Sequence, residues 1–172
     1  MAGFPPQSIR GVVGEVMGLL KGRGESVCVA ETAAGGIISA SILSTPGASK
    51  LYKGGATLYT LESRAAFAGW TEEMTTNYRG PTPDVVSFLA KNVRAKLGGT
   101  YCICESGTAG PTGGNTPNRT PGYVALAIAT ENGVFTKELD TGLGGDREGN
   151  MIAFAREALG FLREVIKGEA KL

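Results

Sequence analysis

The chain contains no histidine, and that absence excludes more chemistry than any residue present. Without an imidazole there is no Ser-His-Asp triad, no Cys-His pair and no His-ligated zinc within it. Any catalysis must use other groups. Cysteine is scarce, and Cys28, Cys102 and Cys104 all fall in apolar, strand-like segments. There a small buried thiol is expected rather than a nucleophile or a disulfide. Charge is nearly balanced at a formal net +1, which leaves no electrostatic footprint for nucleic acid or an anionic membrane. No apolar run approaches the span of a bilayer, and residues 1–10 lack the apolar core of a secretory signal. These absences predict a soluble, cytoplasmic protein with neither membrane nor nucleic acid as a partner.

At 172 residues the chain is long enough for one sizeable core and short for two. We read it as a single domain with its core over about residues 9–166. Ser8 is placed to cap a helix whose apolar residues Ile9, Val12, Val13, Val16, Met17 and Leu20 recur at helical spacing, with Gly22 and Gly24 ending it. A strand over 26–30, a helix over 34–43 and a strand over 54–59 follow. Two short helices over 62–69 and 71–78 precede a longer one marked by Val85, Val86, Leu89, Val93 and Leu97. A buried strand over 101–105 comes next, then a polar Gly/Pro/Asn/Thr loop over 111–121 whose length suits an active-site or interface role. Asn132-Gly133, between strand-like runs over 123–130 and 134–139, predicts an antiparallel hairpin. A last helix runs from Asp146 or Arg147 to Lys167, with Asp146 suited to cap it or to pair with Arg147. Helices alternating with buried strands, plus one hairpin, predict an α/β fold. Its expected form is a three-layer α/β/α sandwich around a mixed sheet with the hairpin at an edge.

Two stretches carry the functional signal: Ala30-Glu31-Thr32-Ala33-Ala34-Gly35-Gly36 and Glu105-Ser106-Gly107-Thr108-Ala109-Gly110-Pro111-Thr112-Gly113-Gly114. Each follows a buried-strand run, and glycine there lets backbone approach a ligand closely. In open α/β sheets ligands bind outside the carboxyl ends of the strands. A pocket is therefore expected between the 31–36 and 106–114 turns, with Tyr59 and Arg147 on its wall. Tyr59 can stack on a ring, Arg147 can hold a phosphate or carboxylate bidentately, and the 107–114 turn offers backbone N–H groups.

In this order the segments resemble the CinA C-terminal domain family, from about residue 9 to residue 166. The landmarks are Ala30 to Gly36, where the family has Ala-Glu-Ser-Cys-Thr-Gly-Gly, then Gly54-Gly55-Ala56-Thr57-Leu58-Tyr59, Gly107-Thr108-Ala109-Gly110-Pro111 and Gly145-Asp146-Arg147. Characterised members are nicotinamide mononucleotide (NMN) amidohydrolases. The resemblance implies hydrolysis of the nicotinamide carboxamide by a serine activated by a lysine, with no metal and no cofactor. It also implies an NMN-like nucleotide as partner and a homodimer or higher homo-oligomer. Thr32 stands where the family has its serine, and Arg64, in Leu61-Glu62-Ser63-Arg64, where it has its lysine. Ala33 and Ala34 replace the family's Cys and Thr, and Met151 replaces an arginine that commonly follows Gly-Asp-Arg. Tyr59, Ser106, Gly107, Arg147, Gly35 and Gly36 match the substrate-binding positions.

The two central replacements differ in weight. Threonine keeps a hydroxyl that can attack a carbonyl. Arginine, with a pKa above about 12, stays protonated and can only hold an anion or polarise a carbonyl. Loss of such a base removes on the order of 10²-fold to 10⁴-fold in rate. Each residue also has an ordinary structural reading: Thr32 as a helix cap, Glu31 as a solvated or ion-paired carboxylate, Arg64 as a surface residue beside Glu62, Tyr59 as core. Three functions stay open. The favoured one is a CinA-like domain that keeps a nucleotide pocket with amidohydrolase activity lost or strongly weakened. The others are an active amidohydrolase in which Thr32 works with a different base such as Lys53 or Glu31, and an oligomeric scaffold without a small-molecule ligand.

Overall fold

A computed structural model describes residues 3–172. The chain runs α1 (Gln7–Arg23), β1 (Val27–Glu31), α2 (Ile37–Leu43), β2 (Tyr52–Thr57), α3 (Leu61–Ala68), α4 (Glu72–Asn77), α5 (Pro83–Leu97), β3 (Tyr101–Gly107), β4 (Tyr123–Ala129), β5 (Val134–Asp140) and α6 (Arg147–Ile166). The strands form one sheet in the order β2-β1-β3-β4-β5. The first three are parallel, and β4 and β5 complete the sheet antiparallel, with the hairpin at the edge.

Burial along the strands explains their composition. β1, most of β3 and most of β4 are covered on both faces and read as near-continuous apolar runs. The edge strands β2 and β5 alternate between more and less exposed residues. Successive side chains point to opposite faces. Val27, Val29, Ile103 and Leu126 therefore pack with Phe154, Leu159 and Leu162 under α1, α2 and α6. Cys28, Ala30, Cys102, Cys104, Ala125 and Ala127 pack with Trp70, Leu89 and Val93 on the α3 to α5 side. All three cysteines are free and buried, as their setting predicts. No described helix is long and apolar enough to cross a membrane.

Several expected boundaries move for identifiable reasons. Pro6, not Ser8, takes the cap position of α1; Ile9 N–H donates to the Pro6 carbonyl, and no side chain caps the end. Gly22 stays helical, and Gly24 ends α1 at φ 65°. The second helix begins at Ile37 rather than at 34, because Gly35 and Gly36 adopt φ of 67° and 104°, outside the right-handed helical region. β2 ends at Thr57, one residue before Leu58 N–H donates to the Glu31 carbonyl, so Tyr59 lies beyond the strand. Asp146 does cap α6, accepting from Gly149 N–H at 3.0 Å.

Leu126, fully buried in β4, offers a direct check of this packing. Leu126→Ala is expected to lower unfolding free energy by about 2–5 kcal/mol through lost transfer energy and a residual cavity. Urea denaturation measures it, and a loss under about 1 kcal/mol would contradict the burial described.

Candidate functional site

The site begins with two carboxylates at the carboxyl ends of β1 and β3. Glu31 is fully buried and accepts from three backbone N–H groups: Gly36 at 3.0 Å, Ile38 at 2.9 Å and Ser39 at 2.8 Å. It is neither solvated nor ion-paired, because the unpaired amides leading into α2 supply its partners in place of water or a cation. Glu105 is also fully buried, and its Oε2 accepts from Thr32 N–H at 3.1 Å and Ala34 N–H at 2.9 Å. Its Oε1 has no hydrogen-bond partner. Burial pushes the Glu105 carboxyl up to about 7 against the pull of those backbone N–H groups, and the nearby Glu31 charge adds to the rise.

These carboxylates fix the turn that carries Thr32. The Thr32 hydroxyl donates to Ser106 Oγ at 3.0 Å, and both residues are buried. Thr32 does not cap α2. Gly36 takes the cap position and Glu31 holds the amides.

Arg64 is not a surface residue, as its place beside Glu62 suggests, but is 3% exposed. It shares the buried side of α3 with Ala68. Its Nε donates to the Leu58 carbonyl at 3.1 Å, and its guanidinium carbon lies 5.5 Å from the Trp70 ring centre and 5.1 Å from that of Tyr78. The Gly69 turn brings Trp70 back, with Trp70 N–H donating to the Arg64 carbonyl at 3.2 Å.

A cavity of about 390 Å³ opens in front of these residues, lined by Ala33, Tyr59, Tyr78, the 107–114 turn, Arg119 and Arg147. Arg147 spans it: Nη1 donates to the Gly110 carbonyl at 2.6 Å and Nη2 to the Tyr59 hydroxyl at 3.3 Å. Behind the turn the buried Asn150 of α6 donates to the carbonyls of Ala109 at 2.9 Å and Gly144 at 2.8 Å. On the far side Asn118 Nδ2 donates to the Arg79 and Pro81 carbonyls, tying the 111–121 loop to the segment after α4. Glycine is required at 113, where a Cβ would fall 2.5 Å from the Arg119 carbonyl oxygen and 2.6 Å from Pro121 Cδ.

Tyr59, Gly107 and Arg147 thus line one cavity, and Tyr59 is 61% exposed there rather than in the core. Thr32 and Ser106 lie beside the wall residues Ala33 and Gly107, and Arg64 lies against Tyr78. Gly35 and Gly36 are not on the wall. The Gly36 amide is held by Glu31, and a Cβ at Gly35 would meet Met151 Cε at 3.1 Å. Sequence reasoning missed Tyr78, Arg119 and Glu105. Glu105, a carboxylate closing an apolar strand, was the one with a visible signal.

A family model for the CinA C-terminal domain matches residues 10–166. The chain belongs to the CinA C-terminal domain family. It is 32% identical over 148 residues to a CinA-like protein of Acidobacterium capsulatum, covering 86% of this chain and 35% of that one. To a CinA-like protein of Shewanella amazonensis it is 31% identical over 158 residues, covering 91% and 36%. The chain spans about a third of the length of these curated relatives. Among solved structures, the competence/damage inducible protein CihA from Agrobacterium tumefaciens superposes with a TM-score of 0.87 at 25% identity, covering 97% of this chain and 99% of that one. The competence damage-inducible protein A from Klebsiella pneumoniae gives 0.85 at 24%, covering 92% and 97%, a likeness of fold.

Glu105 makes the CinA-type domain's stability depend on pH. Its folded value of about 7 lies above its ordinary 4.5, so between these values the folded state holds more proton than the unfolded chain. Stability from this group is complete below the lower value and is lost as pH rises through the upper one, by roughly 3 kcal/mol. Glu105→Gln is expected to flatten the fall in melting temperature between about pH 5 and 8. Parallel melting curves for the two proteins would place the titration elsewhere.

Proposed function

We propose that this domain binds a phosphate-bearing pyridine mononucleotide of the NMN type and that its amidohydrolase activity is lost or strongly weakened. The observation that carries the proposal is a hydroxyl without a base. Thr32 Oγ1 donates to Ser106 Oγ, and among the described residues no lysine or carboxylate hydrogen-bonds to either hydroxyl. A general base must reach the proton it takes, directly or through one water.

The substitutes considered from sequence fit poorly. Lys53 lies in the irregular start of β2, level with Val27 and Cys28, whereas Thr32 follows the far end of β1. At about 3.3 Å per residue that is a gap of more than ~10 Å. Glu31 is engaged by three backbone amides. Arg64 stays protonated.

The binding half of the cavity supports the other part of the reading. Arg147 and Arg119 supply cationic forks suited to a phosphate, Tyr59 supplies a ring face, and the 107–114 turn supplies backbone amides. The family resemblance supplies the ligand class.

Three measurements test the proposal. Unaltered protein at micromolar concentration is expected to release no ammonia from NMN above the blank, while NMN raises its melting temperature by mass action. Thr32→Ser alone is expected to restore little; with Arg64→Lys it is expected to give measurable hydrolysis, since a desolvated lysine can shed its proton. Robust turnover by the unaltered protein that survives Thr32→Ala would overturn the assignment of the site. Arg147→Ala is expected to weaken nucleotide binding by about 1.5–3 kcal/mol in calorimetric titration, and unchanged affinity would place the phosphate elsewhere.

A further inference from the structure

The buried guanidinium of Arg64 is the least compensated charge near the cavity. None of the ion pairs among the described residues includes it. One of its nitrogens, Nε, has the Leu58 carbonyl, while Nη1 is buried with no hydrogen-bond partner. The faces of Trp70 and Tyr78 offset part of the cost of removing it from water. Ring faces do not replace an anion, and a buried charge lacking a counter-charge is held at a standing cost.

An anion entering the cavity would approach this charge through the cavity wall. Tyr78 lies against the guanidinium and is itself one of the residues lining the cavity, which places the charge next to the cavity wall. The chain connects the same places: Leu58, which accepts from Arg64, precedes Tyr59 of the cavity wall and donates its N–H to the Glu31 carbonyl, next to Thr32. A fixed positive charge in a poorly hydrated wall attracts negative charge brought against it and does nothing comparable for a neutral group of the same shape.

We infer that Arg64 makes the cavity select a carboxylate over a carboxamide, so that the domain holds the acid form of a pyridine mononucleotide in preference to the amide form. The inference rests on the nucleotide reading proposed above and gives the lysine-to-arginine replacement a positive role. A lysine able to lose its proton serves hydrolysis of an amide; a permanent cation at that position serves retention of an acid.

Calorimetric titration of the full chain with nicotinate mononucleotide and with nicotinamide mononucleotide tests it, because the two differ only in the group concerned. The acid is expected to bind about tenfold more tightly, the scale of one extra charge interacting across about 8 Å at an effective dielectric of ~30. Arg64→Gln keeps a donor for the Leu58 carbonyl and removes the charge, and it is expected to bring the two affinities within about twofold of each other. Equal binding of both nucleotides by the unaltered protein would overturn the selectivity and leave the nucleotide pocket standing. A preference for the acid that survives Arg64→Gln would overturn the role of Arg64. Binding of neither nucleotide would overturn the pocket and the selectivity together. The comparison in unaltered protein decides the selectivity, and where Arg64→Gln fails to fold, Arg64→Met, an uncharged chain of similar length, decides whether Arg64 is its source.

Discussion

Two buried carboxylates hold backbone amides instead of cations, and the geometry of the cavity depends on them. Glu31 and Glu105 extend from neighbouring parallel strands toward the layer of α1, α2 and α6, where they accept from the N–H groups of Thr32, Ala34, Gly36, Ile38 and Ser39. Charge-assisted bonds of this kind are stronger than neutral ones and are directional. They set the path of the chain from the end of β1 into α2, and with it the positions of the Thr32 hydroxyl and the Ala33 wall. Glu105 meets this demand while fully buried and with one oxygen unpartnered.

What was legible from sequence was local. Apolar runs over 27–30 and 101–104, the Asn132-Gly133 turn and the periodicity of the long helices each report on a few adjacent residues, and the sheet and its layers follow from them. Only the surface alternative for Arg64 fails, because its surroundings are assembled from outside its helix. Trp70 returns to it around the Gly69 turn, and Tyr78 arrives from beyond α4. Glu31 and Glu105 gave no spacing signal for their partners, since backbone amides are carried by every residue type except proline. In the case of Glu105 those amides lie more than 70 residues away in sequence. Gly35 and Gly36 were read as ligand contacts because they sit in a motif, but their conformations serve the entry to α2.

The sheet divides the chemistry between its faces. Carboxylates and their amide partners belong to the α1, α2 and α6 side, while Arg64 and its aromatic neighbours belong to the α3 to α5 side. The Thr32–Ser106 pair sits where the two halves meet at the carboxyl ends of β1 and β3. A substitution on one side can therefore alter the charge near the ligand without disturbing the turn held from the other. A substitution at Arg64 is of this type.

The Arg147 bridge bears on how fast and how tightly an anion would be caught. A guanidinium carries five N–H donors. Among the described residues two are engaged, by Gly110 and Tyr59, which leaves three without a partner there. The engaged pair removes rotational freedom from a long side chain before any ligand arrives. The ordering cost that a loose arginine pays on capture is already met within the resting fold, so the fork is preorganised for any anion that enters the cavity.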